Sequence, residues 1–320
     1  YRKLIYEDRV EFLLGSYASP LTNPVVPIVE EAQVPFITTM VADPGVWRGK
    51  GLKWTVMFNR SFEDYLDPAH GLVQRMKIKS VAYFYTGAIP TVVENSPAQR
   101  DKFQREGINV LIFERYDPAT IDFNVLASKA KAAGAEALVL MGSFREAAAM
   151  AKALSATSYK PKMAWLGWTV NTEDFRNSAG DLAECIMGNA HWLPTTRSKG
   201  FIASNEEFVS RFRAKYGKDP DYRAAIAFGN IELLAQAINA SLEERGRIDK
   251  TFVRDYLFKT KTETVFGPYE VIPEGPDAGI QVAKSGYGVQ WQRDRQTRAL
   301  RLEVLWPERD ATVKEPCSMP

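Results

Sequence analysis

Two loops in the sequence combine a serine hydroxyl, an aromatic side chain and the start of a helix-like segment. SYASP at 16–20 follows the apolar strand-like run VEFLLG, and SFRE at 143–146 follows ALVLMG. A turn from a strand into a helix leaves backbone N–H groups free, and with nearby hydroxyls these groups can bind a small anion such as a carboxylate. Two such strand ends, with no catalytic constellation nearby, indicate binding rather than catalysis.

Both serines also fit a purely structural role. Ser19 precedes a proline and fits an N-cap with proline in the first helical turn, whereas Ser143 and Glu146 fit an S-x-x-E capping box. The same turns carry Tyr17 and Phe144, whose rings could cover an apolar ligand while its carboxylate faces the helix end. This combination favours a binding function.

Residues for catalysis are scarce. The two histidines, His70 and His191, lie near no Ser or Cys in a nucleophile pattern such as GxSxG, and no Walker A or GxGxxG motif follows a strand. Asp122, Glu136 and Glu146 are predicted to be helix-turn or surface carboxylates. We therefore expect neither enzymatic activity nor a cofactor.

Composition narrows the class of partner. The 320 residues exceed the size at which one core keeps growing, so two lobes are expected. The net charge of +2, from 41 basic and 39 acidic residues of interspersed sign, gives no patch for nucleic acid. No apolar run approaches the roughly 18 residues of a transmembrane helix, so direct membrane insertion is not expected.

The cysteines are Cys185 and Cys317, neither of which lies in a CxxC pattern or near a histidine cluster, so no metal site is expected. In an oxidising compartment a disulfide could tie the C-terminal tail KEPCSMP to the strand containing CIMG. Two unrelated thiols are the alternative.

Strand-like and helix-like segments alternate along most of the chain, which predicts an α/β protein with parallel sheets. The C-terminal part changes character, because YEVI, YGVQWQ and LRLEVLWP alternate as antiparallel edge strands do. The opening YRKLIYEDRV is typical of the last turns of a helix. The predicted strands are 10–14, 35–38, 80–85, 109–113, 137–141, 163–167 and 186–192, and the predicted helices are 24–32, 91–106, 122–133, 147–156, 206–216 and 221–244.

The chain resembles the periplasmic solute-binding proteins of ABC importers. Specifically, it is similar to the branched-chain amino-acid-binding (type I, Leu/Ile/Val-binding-like) family. The resemblance runs in order over essentially the whole chain. The segments that carry it are KLIYEDRVEFLLGSYASPLTNPVVPIVEEAQVPFITT, VADPGVWRGKGLKWTVMF, ALVLMGSFREAAAMAKAL, GNIELLAQAI, GVQWQ and VLWP.

The resemblance implies a two-lobed fold with parallel sheets flanked by helices and three hinge crossovers, closing on a small solute. Lobe 1 would comprise 1–60 and 194–264, and lobe 2 would comprise 61–193 and 265–320. It also implies a periplasmic location, a membrane ABC permease as partner, and a strand, helix and strand that would normally precede residue 1.

The family's ligand contacts can be carried over position by position. The loop from Tyr17 to Ser19 resembles the one that holds the ligand carboxylate, and Phe144 stands where an aromatic residue closes over the ligand. Tyr85 begins a loop that supplies another contact, although the following TGAIPT departs from the usual pattern. The family makes further backbone and hydroxyl contacts with its ligand at the positions of Met40, Val41 and Ala42. At the position of Ala42 the family usually has threonine.

The most important difference between this chain and the family pattern is at residues 167–170. Amino-acid binders of this family carry an acidic residue here that pairs with the ligand's ammonium group, whereas this chain has Trp168 and Thr169. Unless Glu173 or Asp174 supplies the charge, the expected ligand is uncharged or carries only a carboxylate. Arg223 falls near a ligand-facing position and would suit a carboxylate, with a solvent-facing helix residue as the alternative.

Five aromatic residues could line an aromatic-rich pocket, so we expect a small hydrophobic carboxylate, with an aromatic acid favoured. A branched-chain or other hydrophobic amino acid is the alternative ligand. A ligand-binding sensory module of a receptor or regulator is the alternative function, and the chain preceding residue 1 would distinguish the two. The five residues are Tyr17, Tyr85, Phe144, Trp168 and Trp192.

Overall fold

The chain crosses three times between two structural units, and this computed structural model describes residues 1–319. Unit 1 comprises Tyr1–Phe62 and Trp192–Ser285, and unit 2 comprises Glu63–His191 and the chain from Gly286 onward. The first two crossovers lie within two residues of the predicted ones. The third, predicted after residue 264, is corrected to follow Ser285, because residues after 264 pack into the core of unit 1.

Helices and strands alternate through most of both units. The helices are α1 (Ser19–Thr22), α2 (Val26–Ala32), α3 (Asp67–Arg75), α4 (Pro90–Arg105), α5 (Phe123–Ala132), α6 (Phe144–Ala156), α7 (Glu173–Ala179), α8 (Asn205–Tyr216), α9 (Tyr222–Arg245) and α10 (Lys250–Lys259). The strands are β1 (Leu13–Leu14), β2 (Phe36–Thr38), β3 (Thr55–Met57), β4 (Ser80–Thr86), β5 (Asn109–Tyr116), β6 (Ala137–Met141), β7 (Met163–Trp165), β8 (Ile186–Ala190), β9 (Thr262–Thr264), β10 (Gly267–Tyr269), β11 (Tyr287–Arg293) and β12 (Leu300–Trp306).

Unit 1 contains a parallel sheet in the order β1-β2-β3 and an antiparallel hairpin of β9 and β10. Its main apolar cluster packs Ile37 and Val56 of the sheet against Ile226 and Leu233 of α9, all nearly inaccessible to solvent. β3, the hairpin and α10 were not predicted. The strand predicted at 10–14 pairs over two residues only.

The predicted YEVI strand is wrong. Tyr269 ends β10, and Val271 makes only an isolated bridge with Gln281. The expected helical character near the N-terminus takes the form of a π-helical turn at Lys3–Glu7.

Unit 2 contains a seven-stranded sheet in the order β12-β11-β8-β7-β6-β4-β5. The five strands from β8 to β5 are parallel, and β11 and β12 are antiparallel, as the two last tail segments predict. β6 is buried at all five positions and reads ALVLM, which is typical of a parallel strand covered on both faces. The α/β class is confirmed.

Cys185 and Cys317 form a disulfide within unit 2, with their Cα atoms 5.4 Å apart. Gln290 reinforces the junction, because its side-chain amide donates to the carbonyls of both cysteines and its Oε1 accepts from the N–H of Cys317. The tail is therefore attached to the strand that contains CIMG. Among the described helices, none has both the length and the apolar character needed to cross a bilayer.

Candidate functional site

In unit 1, the loop that follows β1 meets the first turn of α9. The Tyr17 hydroxyl lies 3.0 Å from the Tyr222 hydroxyl, and the Ser16 hydroxyl lies 2.8 Å from that of Thr22. Tyr17 is 49% exposed, so its ring faces solvent while its hydroxyl is held. The sequence predicted Tyr17 at this strand end, and the structure adds Tyr222 as its partner.

Ser19 is not the N-cap that the sequence predicts. Ala18 precedes α1 with φ 83°, and Ser19 is already the first helical residue. The Ser19 hydroxyl instead accepts a hydrogen bond from the N–H of Asp43 at 3.2 Å and is nearly buried. It therefore connects the loop after β1 to the segment after β2.

The segment after β2 makes its polar contacts through its backbone more than through its side chains. Met40 and Val41 are buried in two different apolar clusters, and the carbonyl of Ala42 accepts from the N–H of Phe62. The side chains of Met40, Val41 and Ala42 are thus part of the packing. The adjacent Thr39 hydroxyl accepts from the side-chain amide of Asn230 at 3.0 Å.

Arg223 lies in the first turn of α9 with about half of its side chain exposed. Its guanidinium pairs with Asp221 at 2.6 Å and lies 5.7 Å from the centre of the Tyr222 ring. Partial burial alone would lower the pKa of Arg223, but the hydrogen bond and charge of Asp221, with smaller effects from Tyr222 and Tyr17, raise it. The first turn of α9 therefore holds a permanent cation close to two phenols.

In unit 2, the loop between β6 and α6 has the predicted capping box. The N–H of Ser143 donates to Glu146 Oε2 at 2.6 Å. Phe144 follows as the first helical residue and is half-buried, with the Arg145 guanidinium 5.6 Å from its ring centre. Glu146 is only 7% exposed, so of the two predicted alternatives, a helix-turn or a surface carboxylate, the structure shows the helix-turn one.

The loop after β7 presents an indole and a hydroxyl. Gly167, with φ 74°, turns the chain, and both Trp168 and Thr169 are half-buried. Trp168 packs edge-to-face on Tyr65 at 6.1 Å, and the Thr169 hydroxyl is buried without a hydrogen-bond partner among the described residues.

The two acidic residues nearest to this loop lie farther along. Glu173 and Asp174 are exposed in the first turn of α7.

Two of the predicted aromatic residues belong to the packing of their own units. Tyr85 packs against Phe113, with the ring centres 4.9 Å apart. Trp192 is 1% exposed, and its indole N–H donates to Asn205 Oδ1 and to the carbonyl of Val265, both at 3.0 Å. Trp192 is therefore a core residue of unit 1, and its prediction as a pocket residue is wrong.

Residues 1–296 match the model of the family described as periplasmic binding protein. The chain belongs to the periplasmic binding protein family. Its fold is that of solved periplasmic binding proteins of the type I class, and the family implies an extracytoplasmic location.

Individual relatives bind different solutes. A leucine-, isoleucine-, valine-, threonine- and alanine-binding protein of Pseudomonas aeruginosa is 24% identical over 82% of this chain and 68% of its own length. The LivJ protein of Streptococcus pneumoniae, solved with isoleucine, superposes with a TM-score of 0.76 at 20% identity over 95% and 82% of the two chains. A solute-binding protein of Rhodopseudomonas palustris, solved with 4-hydroxybenzoate, gives the same TM-score and identity over 95% and 80%.

Three polar residues of this periplasmic binding protein were missed by the sequence analysis. Tyr222 and Asn230 lie on α9, more than 190 positions away from Tyr17 and Thr39 to which they bond. Tyr116 ends β5 and lies beside Glu146. A hydroxyl at the end of a predicted strand was the available signal for Tyr116, but no local pattern marks the other two.

Proposed function

We propose that this periplasmic binding protein captures a small hydrophobic carboxylate, with an aromatic acid favoured, and delivers it to a membrane ABC permease. The observation that carries the proposal is the loop after β7, where an indole and a buried hydroxyl occur at Trp168 and Thr169 and where the acidic residues lie outside, on α7. An ammonium group is costly to desolvate without a carboxylate partner, whereas an aromatic ring is not.

The carboxylate end of the ligand is assigned to unit 1. Arg223 is a half-exposed cation beside the hydroxyls of Tyr17 and Tyr222. A guanidinium has five N–H donors in a planar fork, so it can pair with Asp221 and with a ligand carboxylate at the same time.

In unit 2, Phe144 and Trp168 are half-buried, follow β6 and β7, and offer aromatic surface suited to an apolar ligand. Aromatic rings gain affinity from edge or offset contacts with other rings. The relative with 4-hydroxybenzoate supports an aromatic ligand in this fold class. Of the remaining predicted contacts, Ser19, Met40, Val41 and Ala42 act through backbone and loop geometry, and Tyr85 stays a peripheral candidate.

We propose binding without catalysis. His70 is buried against Glu106 and Gln99, and His191 is buried with its ring packed on Tyr65. Both imidazoles are thus engaged in packing rather than presented to a solute.

The test is calorimetry and thermal shift with benzoate, 4-hydroxybenzoate, leucine and isoleucine, since a ligand that binds the folded state raises its melting temperature. We expect the aromatic acids to bind and Arg223→Ala to weaken them about tenfold or more, the loss of one charged hydrogen bond. Arg213→Ala is the matched control, because Arg213 forms a similar surface ion pair with Asp219 in unit 1.

A hydrophobic amino acid is the alternative ligand, supported by the relatives that bind leucine or isoleucine. Strong stabilisation by leucine with no response to the aromatic acids would refute the aromatic assignment. Thr169→Glu adds the missing carboxylate, and under our proposal it raises leucine affinity while weakening benzoate through charge repulsion.

A further inference from the structure

The two outermost strands of the unit 2 sheet, β5 and β12, differ in how their free edges are protected. A free edge presents backbone N–H and C=O groups that can pair with a strand of another chain. β5 has a bulge, because Leu111 is skipped in its pairing with β4, and a bulge disrupts such pairing. β12 pairs with β11 without a bulge from Leu300 to Val304. This regular edge needs a different protection.

The C-terminal tail covers part of the outer edge of β12. We call residues 311–319 the strap. The N–H of Thr312 donates to the carbonyl of Val304 at 3.0 Å, and the Thr312 hydroxyl accepts from the N–H of Val304 at 2.8 Å. The same hydroxyl donates to a carboxylate oxygen of Glu303. Thr312 therefore occupies both backbone groups that Val304 directs to the edge, together with the side chain of the preceding residue.

The strap then crosses β11 toward β8, where its far end is attached. The carbonyl of Glu315 accepts from the Gln292 side chain, and the backbone of Cys317 is hydrogen-bonded to Gln290. The disulfide joins Cys317 to Cys185, which directly precedes β8. A surface cavity of about 650 Å³ lies between the strap and the β11–β12 hairpin, lined in part by Glu315 and Gln292. The middle of the strap is therefore loosely packed, and the disulfide holds its far end covalently.

The outer edge of β12 is complementary to itself. Backbone groups alternate in direction along a strand, so Leu300 and Leu302 direct theirs to the same side as Val304. Two copies of β12 can lie antiparallel with Leu302 opposite Leu302. In that register Leu300 faces Val304 of the second copy, and Arg301 faces its Glu303. Apolar side chains then meet on one face of the paired strands and opposite charges meet on the other, and both kinds of pair are favourable.

We propose that reduction of the disulfide between Cys185 and Cys317 frees the strap and lets β12 pair with β12 of a second copy of this chain, about a two-fold axis. This inference goes beyond the proposed function and does not depend on the ligand. A dithiol reductant is oxidised to its own disulfide, and each cysteine takes up one hydrogen as a thiol. The freed strap is then held by hydrogen bonds that each contribute about 0.5–1.5 kcal/mol. The second copy bonds to the same groups of Val304 and adds the bonds at Leu302.

Sedimentation velocity of the full chain over a range of protein concentrations tests the inference, with and without dithiothreitol. We expect reduction to lower the dimer dissociation constant about tenfold or more, since the two backbone groups of Val304 become available on each copy. The variant with Cys185 and Cys317 both replaced by serine should dimerise whether or not the reductant is present. Circular dichroism checks that the proteins are folded.

Thr312→Pro exposes the edge while the disulfide stays intact, and it serves as the test if the cysteine variant does not fold. Proline has neither an N–H nor a hydroxyl group, so both bonds to Val304 are lost. The preceding Ala311 has ψ 130°, which is compatible with a following proline. We expect this variant to dimerise in the oxidised state.

A charge exchange on β12 identifies the surface that associates, in either dimeric variant. Arg301→Glu places glutamates opposite each other across the two-fold axis and should raise the dimer dissociation constant about tenfold or more. Adding Glu303→Arg restores opposite charges and should restore the dimer. Arg295→Glu is the matched control, because Arg295 is an exposed arginine in the turn of the same hairpin, and it should leave the dimer unchanged.

Two results would overturn the inference. One is a folded reduced protein, or a folded Thr312→Pro variant, that stays as monomeric as the oxidised wild type. The other is a dimer that Arg301→Glu leaves as strong as before, because association would then use another surface. Loss of the dimer in Arg301→Glu and its return in the double variant with Glu303→Arg would support the pairing of β12 with β12.

Discussion

The hydroxyl groups of Tyr17 and Tyr222 lie 3.0 Å apart although 205 positions separate the two residues in the chain. This contact joins the loop after β1 to the first turn of α9 and brings Arg223 beside both phenols. The candidate site residues of unit 1 thus come from both chain segments of that unit.

We predict that Tyr17→Phe weakens aromatic-acid binding by about three- to tenfold, since one hydrogen bond contributes about 0.5–1.5 kcal/mol. The free energy of unfolding should change by less than about 0.5 kcal/mol, as is usual for an exposed position. Calorimetry and urea unfolding measure the two effects. Tyr216→Phe, at a similarly exposed tyrosine of unit 1, should alter neither quantity. A loss of stability without a loss of affinity would assign Tyr17 a purely structural role.

How far the sequence predicts the structure depends on whether the signal is local. β6 was predicted with its observed bounds because an unbroken apolar run marks a strand covered on both faces. The hairpin of β9 and β10 was missed because TETVFGPY has no such run and is fixed by tertiary packing in unit 1.

In the candidate site, too, the features with a local sequence pattern were predicted and the others were not. The Ser143–Glu146 capping box is a four-residue pattern and was predicted. The burial of Glu146 depends on Tyr116 of another strand and on the close approach of Gly142, so no local pattern indicates it. Similarly, Ser19 loses its predicted capping role because the distant N–H of Asp43 takes its hydroxyl.

Trp192→Phe is predicted to destabilise the protein by about 2–4 kcal/mol. The indole N–H has two acceptors in Asn205 and Val265, and the ring packs edge-to-face on Phe208. Phenylalanine therefore leaves a cavity and removes the indole donor from Asn205 Oδ1, whereas the carbonyl of Val265 still accepts from the Ser198 hydroxyl. Urea unfolding followed by circular dichroism provides the value. Trp168→Phe, at a half-buried tryptophan, is expected to cost less than about 1 kcal/mol. Equal losses in the two variants would contradict the assignment of Trp192 to the core.

The disulfide is predicted to contribute about 4 kcal/mol to stability. Cys185 and Cys317 are 132 positions apart, and closing so long a loop restricts the unfolded chain strongly. A reducing agent should therefore lower the urea midpoint of the wild type. The variant with both cysteines replaced by serine should start from that lower midpoint and not respond to the reducing agent. A wild type that is insensitive to reduction would disprove this contribution.

His70 is predicted to make unit 2 less stable in mild acid. Burial lowers the pKa of His70, and this effect outweighs the hydrogen bond and charge of Glu106, which raise it, while the charge of Lys102 lowers it further. The folded state therefore binds protons less readily than the unfolded state, whose histidine titrates near 6.5. Above that pH the stability from His70 is fully present, and it is lost as the pH falls from 6.5 through the lower folded value. Unfolding free energies measured between pH 7.5 and 5 should fall less steeply in His70→Gln than in the wild type, and parallel curves for the two proteins would exclude His70 as the source.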